Sequence, residues 1–171
     1  MQRFVLRILY SGFIRWFLRL IVGIRFDDSS FLLREKQFII VANHNSHLDT
    51  MTLLASLPGK IIHKVKPVAA AHYFWRAKLQ AVFSKYFINE LLIKRKRDKS
   101  NPDADPIEVM LKALREGYSL ILFPEGTRGE PEKLQPFKPG VAMLLTKYPE
   151  IPYVPAFLVG MGRIMPKGDN V

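Results

Sequence analysis

Phe38-Ile39-Ile40-Val41-Ala42-Asn43-His44-Asn45-Ser46-His47-Leu48-Asp49 is the stretch that decides the fold. Its first five residues form a continuous apolar run, the pattern of a parallel strand buried on both faces. Ser46 followed three residues later by Asp49 fits a capping box, and residues 50–57 continue as a helix. A second stretch repeats the arrangement. Ser119-Leu120-Ile121-Leu122-Phe123 reads as a buried strand, and Pro124-Glu125-Gly126-Thr127-Arg128 as the turn that leaves it. In open α/β sheets ligands gather where such strands end. Both segments are therefore candidate site loops.

Working outward, residues 65–71, 91–93 and 153–159 read as further strands, the last broken by Pro155. Residues 25–30 read as a short strand and a turn. Helices are expected over 74–87, from the Asp105 cap to Gly117, and over 140–147. Residues 98–103 read as a surface loop. Strands alternate with helices, so the expected class is a single α/β domain with a mostly parallel central sheet flanked by helices.

The amino terminus is different. Between residues 4 and 24 the chain is rich in Phe, Leu, Ile, Trp and Val, but Arg7, Arg15 and Arg19 interrupt it. No apolar run approaches the roughly 20 residues of a membrane span. At about 100° per residue, Arg3, Arg7, Ser11, Arg15 and Arg19 share one stripe, with a wide aromatic arc opposite. That describes a helix lying in a membrane interface. The competing account is a core helix whose arginines reach solvent. The expected division is a membrane-associated amphipathic helix over 1–25 and a catalytic domain over 26–171. The Gly- and Met-rich tail, 160–171, reads as the end of an excerpt.

Bulk composition agrees with a partner of opposite charge. The 171 residues are 49% hydrophobic and carry 26 Lys and Arg against 15 Asp and Glu, a net charge of +11. Such a balance favours anionic membrane, acidic small molecules or nucleic acid. The basic run 94–99 comes with no nucleic-acid motif, so no nucleic-acid partner is expected. There is no cysteine, which excludes disulfides, thiolate nucleophiles and cysteine-ligated zinc. The four histidines are scattered without ligand spacing, so no metal is expected.

A histidine can take a proton from a hydroxyl when a carboxylate holds its other ring nitrogen. On one continuous helix His44 and Asp49 would lie about 140° apart. They meet only if His44 precedes the cap and Asp49 occupies the first turn. Otherwise Asp49 merely caps the helix. His47 is the rival base, and His63 and His72 have no acidic neighbour in sequence. In the second segment Arg128 suits a phosphate through two parallel hydrogen bonds. Glu125 could accept from a substrate hydroxyl or hold Arg128. The plainer alternative is a turn with a surface ion pair.

Taken together these segments resemble the glycerolipid acyltransferases, the lysophosphatidic acid acyltransferase-like group. Asn43, His44, Ser46 and Asp49 match the first block, Asn-His-x-Ser-x-x-Asp. Asn89 to Arg95 resembles the second, with Asn89 in place of its glycine, Leu92 in place of its aromatic, and Arg95 or Arg97 as its arginine. Phe123 to Arg128 matches the third without a change, and Phe137-Lys138-Pro139-Gly140 resembles the step that follows it. Pro155 matches the proline of the fourth.

The resemblance implies a glycerol-3-phosphate acyltransferase-like fold and an O-acyltransferase of phospholipid biosynthesis. His44 would be the general base and Asp49 its orienting partner. Arg95, Glu125, Gly126, Thr127 and Arg128 would hold the phosphate of a lysophospholipid or glycerol phosphate. Asn43, Ser46, Lys138 and Pro155 would support them. Acyl-CoA or acyl-carrier protein would donate the acyl group, with no cofactor, and backbone amides at the helix start would hold the oxyanion. Such an enzyme is expected on a membrane with anionic lipid, at its cytoplasmic face. The alternatives are a non-catalytic lipid-binding module and an acyl-thioester hydrolase.

Overall fold

The structure, a computed structural model, describes residues 2–70, 87–94, 105–130 and 133–164. The helix expected over 74–87, save its last residue, and the loop expected over 98–103 lie outside these, as do Arg95 and Arg97.

Five strands form one sheet: β1 (Ile39–Ala42), β2 (Val65–Ala70), β3 (Leu91–Ile93), β4 (Ser119–Leu122) and β5 (Tyr153–Ala156). Their order is β3-β2-β4-β1-β5, and every neighbouring pair is parallel. The apolar runs over 38–42 and 119–123 are thus adjacent strands, with Val41 opposite Leu122. Parallel neighbours release their following loops at the same end of the sheet, which brings the two candidate segments together.

Alternate residues of these strands feed two cores. Ile40, Ala42, Val65 and Ile121 face one, completed by the helix α3 (Asp49–Ser56) and the amino-terminal helix. Ile39, Leu120 and Leu122 face the other, covered by α4 (Pro106–Arg115) and α5 (Gly140–Lys147). α4 starts and stops where the sequence indicates. Asp105 caps it by accepting from the Ile107 amide at 2.8 Å. It ends in a Schellman turn: Tyr118 N–H reaches Ala113 O at 3.1 Å and Gly117 N–H reaches Leu114 O at 2.9 Å. Gly117 supplies the left-handed φ of +86° that this turn needs.

Two expectations differ. Residues 25–30 form no strand and pair with none of the five. Instead Asp28 accepts from the Ser30 amide at 2.9 Å and begins a 3-10 turn over Ser30–Leu33. The last strand stops at Ala156 rather than at residue 159. Beyond it the Asn43 side chain takes over from β1 as partner, accepting from Leu158 N–H at 2.7 Å and donating to Leu158 O at 3.0 Å. Pro155 is tolerated because β5 is an edge strand.

The amino-terminal helix comprises α1 (Gln2–Ile8), a π segment (Leu9–Ile14) and α2 (Arg15–Leu20). Leu6, Tyr10, Ile14 and Leu18 are buried in the first core. Side chains four apart drift about 40° around an α-helix at each step. The wider π turn offsets that drift, so a strict four-residue stripe keeps facing the domain. Phe4, Ile8, Phe13, Trp16, Leu20 and Ile21 stay more than half exposed on the outside. Arg15 sits between these worlds, with its guanidinium 5.1 Å from the Phe26 ring centre and bonded to Ala55 O at 3.3 Å. Gly59 lets the helix approach closely, since a Cβ there would meet Ser11 Oγ and crowd Arg7 Cγ at 3.3 Å.

Candidate active site

His44 leaves the end of β1 in the loop before α3, and Asp49 is the first residue of that helix. The ring Nδ1 lies 2.9 Å from Asp49 Oδ2. The same oxygen accepts from Asn45 N–H at 2.7 Å and Ser46 N–H at 2.8 Å. Ser46 Oγ in turn accepts from Leu48 N–H at 3.1 Å. Helix α3 starts with Leu48 rather than Ser46 at its cap position, and the Ser46 and Asp49 contacts lie in the turn just before it, where His44 and Asp49 meet.

Asp49 is fully buried, while the His44 side chain remains 20% exposed. The His44 ring and two backbone amides converge on this one carboxylate oxygen. Its Oδ1 has no partner among the described residues. A carboxylate accepts only, so Nδ1 carries the hydrogen and Nε2 is left with its lone pair. Phe123 stacks on the His44 ring, centres 4.1 Å apart and planes 20° apart. The ring is thus held at its edge by Asp49 and on its face by Phe123.

The third block supports His44 from behind. Glu125 is buried, and its Oε1 accepts from the His44 amide at 3.1 Å. Gly129 N–H reaches His44 O at 3.0 Å, and the Asn45 side chain donates to Glu130 O at 2.9 Å. The two loops are stitched together at these points. Ser46 Oγ also donates to Ile164 O, and Asn43 holds Leu158 as described. Asn43 and Ser46 are thus structural ties between the first block and the segment after β5.

Gly126 turns the chain with φ +66°. A Cβ on it would stand 2.7 Å from Lys138 Nζ, so the Lys138 side chain crosses directly over the glycine. Lys138 is fixed to the same turn by its amide, 2.8 Å from Pro124 O. Thr127 is exposed beside it. Arg128 reaches back to the first block and contacts His47 Nε2. That contact was not legible in the sequence, where 81 residues separate the pair.

Three amides near the helix start, those of Asn45, Ser46 and Leu48, are committed to Asp49 and Ser46. Of the second block, Asn89 is described. It is the one non-glycine residue at positive φ, +59°, among the described residues. Its side chain donates to His63 O at 3.1 Å and Val65 O at 3.2 Å. Asn tolerates the left-handed region better than other side chains, which accounts for its presence where a glycine is expected.

The Acyltransferase family model matches residues 23–159. The chain is 31% identical over 133 residues to a chloroplastic 1-acyl-sn-glycerol-3-phosphate acyltransferase of Brassica napus, covering 77% of this chain and 36% of that protein. It is 34% identical over 154 residues to the human 1-acyl-sn-glycerol-3-phosphate acyltransferase beta, covering 83% and 50%. The chain thus spans about a third to a half of the length of these relatives. The fold is similar to the crystal structure of the 1-acyl-sn-glycerophosphate acyltransferase PlsC of Thermotoga maritima, with a TM-score of 0.66 at 22% identity, covering 95% of this chain and 63% of that one. The chain belongs to the acyltransferase family.

Proposed function

We propose that the chain carries the catalytic domain of an O-acyltransferase of phospholipid synthesis, and that it moves a fatty acyl group from a thioester to the free hydroxyl of a lysophosphatidate. The observation that carries this reading is the His44–Asp49 pair, with Nδ1 2.9 Å from Oδ2. In this account Nε2 takes the proton of the acceptor hydroxyl while its oxygen attacks the thioester carbonyl. Asp49 stabilises the imidazolium that results, and the proton leaves with the thiolate of acyl-CoA or acyl-carrier protein. Arg128 and Lys138, with Arg95, bind the acceptor's phosphate. Glu125 acts on His44 through its backbone.

A mixed cleft of about 570 Å³ opens beside α3 and β5. Phe26, Leu53, Val154, Ala156, Leu158 and Met161 form its apolar part, and Arg25, Asp27 and Asp28 its charged part. Thr52, one turn beyond Asp49, faces it as well. Its size and its apolar part suit a flexible hydrocarbon chain. The exposed aromatic face of the amino-terminal helix supports membrane association, although among the described residues no helix is long and apolar enough to cross a membrane. We assign that face to an anionic lipid surface on the cytoplasmic side.

The test is labelled acyl-CoA incubated with the purified chain, with and without lysophosphatidic acid. Label transferred to lipid only when acceptor is present supports the reading. Free fatty acid as the product would make the protein a thioester hydrolase, and no turnover would leave a lipid-binding module.

A further inference from the structure

We propose that His47 is a positioning residue that holds Arg128 for the acceptor's phosphate only while its imidazole is neutral, so that acceptor affinity falls as His47 takes a proton. The proposal rests on the phosphate-binding role given to Arg128 above. Neither His47 nor this contact is needed for the His44–Asp49 pair.

The geometry points one way. Arg128 Nη1 faces His47 Nε2. A guanidinium only donates, so Nε2 must be the acceptor and the ring hydrogen must sit on Nδ1. Protonating Nε2 would place two donors and two positive charges against each other. The contact would become a repulsion. His47 lies two residues before Asp49, at the same turn that fixes His44. An arginine anchored there is held beside the proton-accepting group rather than free to follow solvent.

The charges around His47 reinforce this. Partial burial holds its pKa below the usual histidine range, with Arg128 and then His44 adding to the effect and Asp49 opposing it. His47 is therefore neutral at pH 7, and the contact is intact there and above. Acidification below the ordinary histidine range progressively breaks it. An arginine that loses this contact is less firmly placed, and ordering it again on the phosphate costs entropy.

The experiment compares wild type, His47→Gln and His47→Ala between pH 5.5 and 8.5. It reads KM for lysophosphatidate, KM for acyl-CoA and kcat separately. The phosphate of the acceptor also titrates in this range, but equally for all three proteins, so ratios between them isolate His47. Glutamine offers an uncharged oxygen acceptor at similar reach. At pH 8 His47→Gln should keep KM for lysophosphatidate within about twofold of wild type. His47→Ala should raise it about three- to tenfold, the scale of one net hydrogen bond at a part-exposed site. As pH falls, KM of wild type should climb relative to His47→Gln, with KM for acyl-CoA unaffected. The same pH course in wild type and His47→Gln, or an unchanged KM in His47→Ala, overturns the proposal. Equilibrium binding of lysophosphatidate to the three proteins is measured alongside. If no acyl transfer occurs, that binding series still decides the question, and the catalytic reading fails separately. If wild type fails to bind lysophosphatidate, the proposal fails too.

Discussion

At the scale of single residues, Asp49 does more than orient a base. Its Oδ2 collects the His44 ring and two amides of its own loop. The spacing of His44 and Asp49 already implied that the pair needs a bend between loop and helix, and Ser46 marked where the bend falls. The cost of that bend was not legible: the amides of Asn45 and Ser46 are tied to Asp49 in making it. Asp49→Ala should therefore lose stability as well as activity. Two buried amides without an acceptor cost about 1–3 kcal/mol each. Urea denaturation should show a loss of at least about 2 kcal/mol, and a variant as stable as wild type would contradict the network. Arg128 shows the opposite limit. Its chemistry was evident from the sequence, whereas its partner His47 depends on which strands are neighbours.

At the scale of elements, the sequence distinguishes the arginine stripe of the amino-terminal helix from its apolar arc, but not the inner from the outer part of that arc. Both parts are apolar, and only the docking surface separates them. The inner stripe of Leu6, Tyr10, Ile14 and Leu18 belongs to the domain's core. The core-helix account holds for the inner side, and the exposed outer side is the part assigned above to a lipid surface. Deleting the helix would open the core, so single substitutions are the sharper probe. Leu18→Ala should destabilise by about 2–5 kcal/mol, as other buried leucines do. Urea denaturation measures this, and a loss below about 1 kcal/mol would mean that the helix is not docked. The second block shows a similar partial legibility. Asn89 departs from the expected glycine, yet its φ of +59° keeps the glycine's geometry.

At the scale of the whole molecule, the parallel order of β4 and β1 is what turns two loops into one site. Strand-like runs and helix caps made that class legible, and the adjacency of β1 and β4 gave the site its place. The molecule also has sides. Exposed Phe4, Phe13 and Trp16 lie on one surface of a chain with net charge +11. Replacing Phe13 and Trp16 together by serine should leave folding stability within about 0.5 kcal/mol, as for surface substitutions generally. It should weaken co-sedimentation with vesicles containing phosphatidylserine. Raising salt should weaken wild-type binding through screening. Binding indifferent to both changes would remove the lipid surface from the account.

The most direct measurement is acyl transfer from labelled acyl-CoA to lysophosphatidic acid by wild type and His44→Ala, each shown to be folded by circular dichroism. General-base catalysis contributes about 10²–10⁴ in rate. The account predicts labelled phosphatidic acid from wild type and a kcat lower by that factor in His44→Ala. Equal rates from the two folded proteins would contradict it.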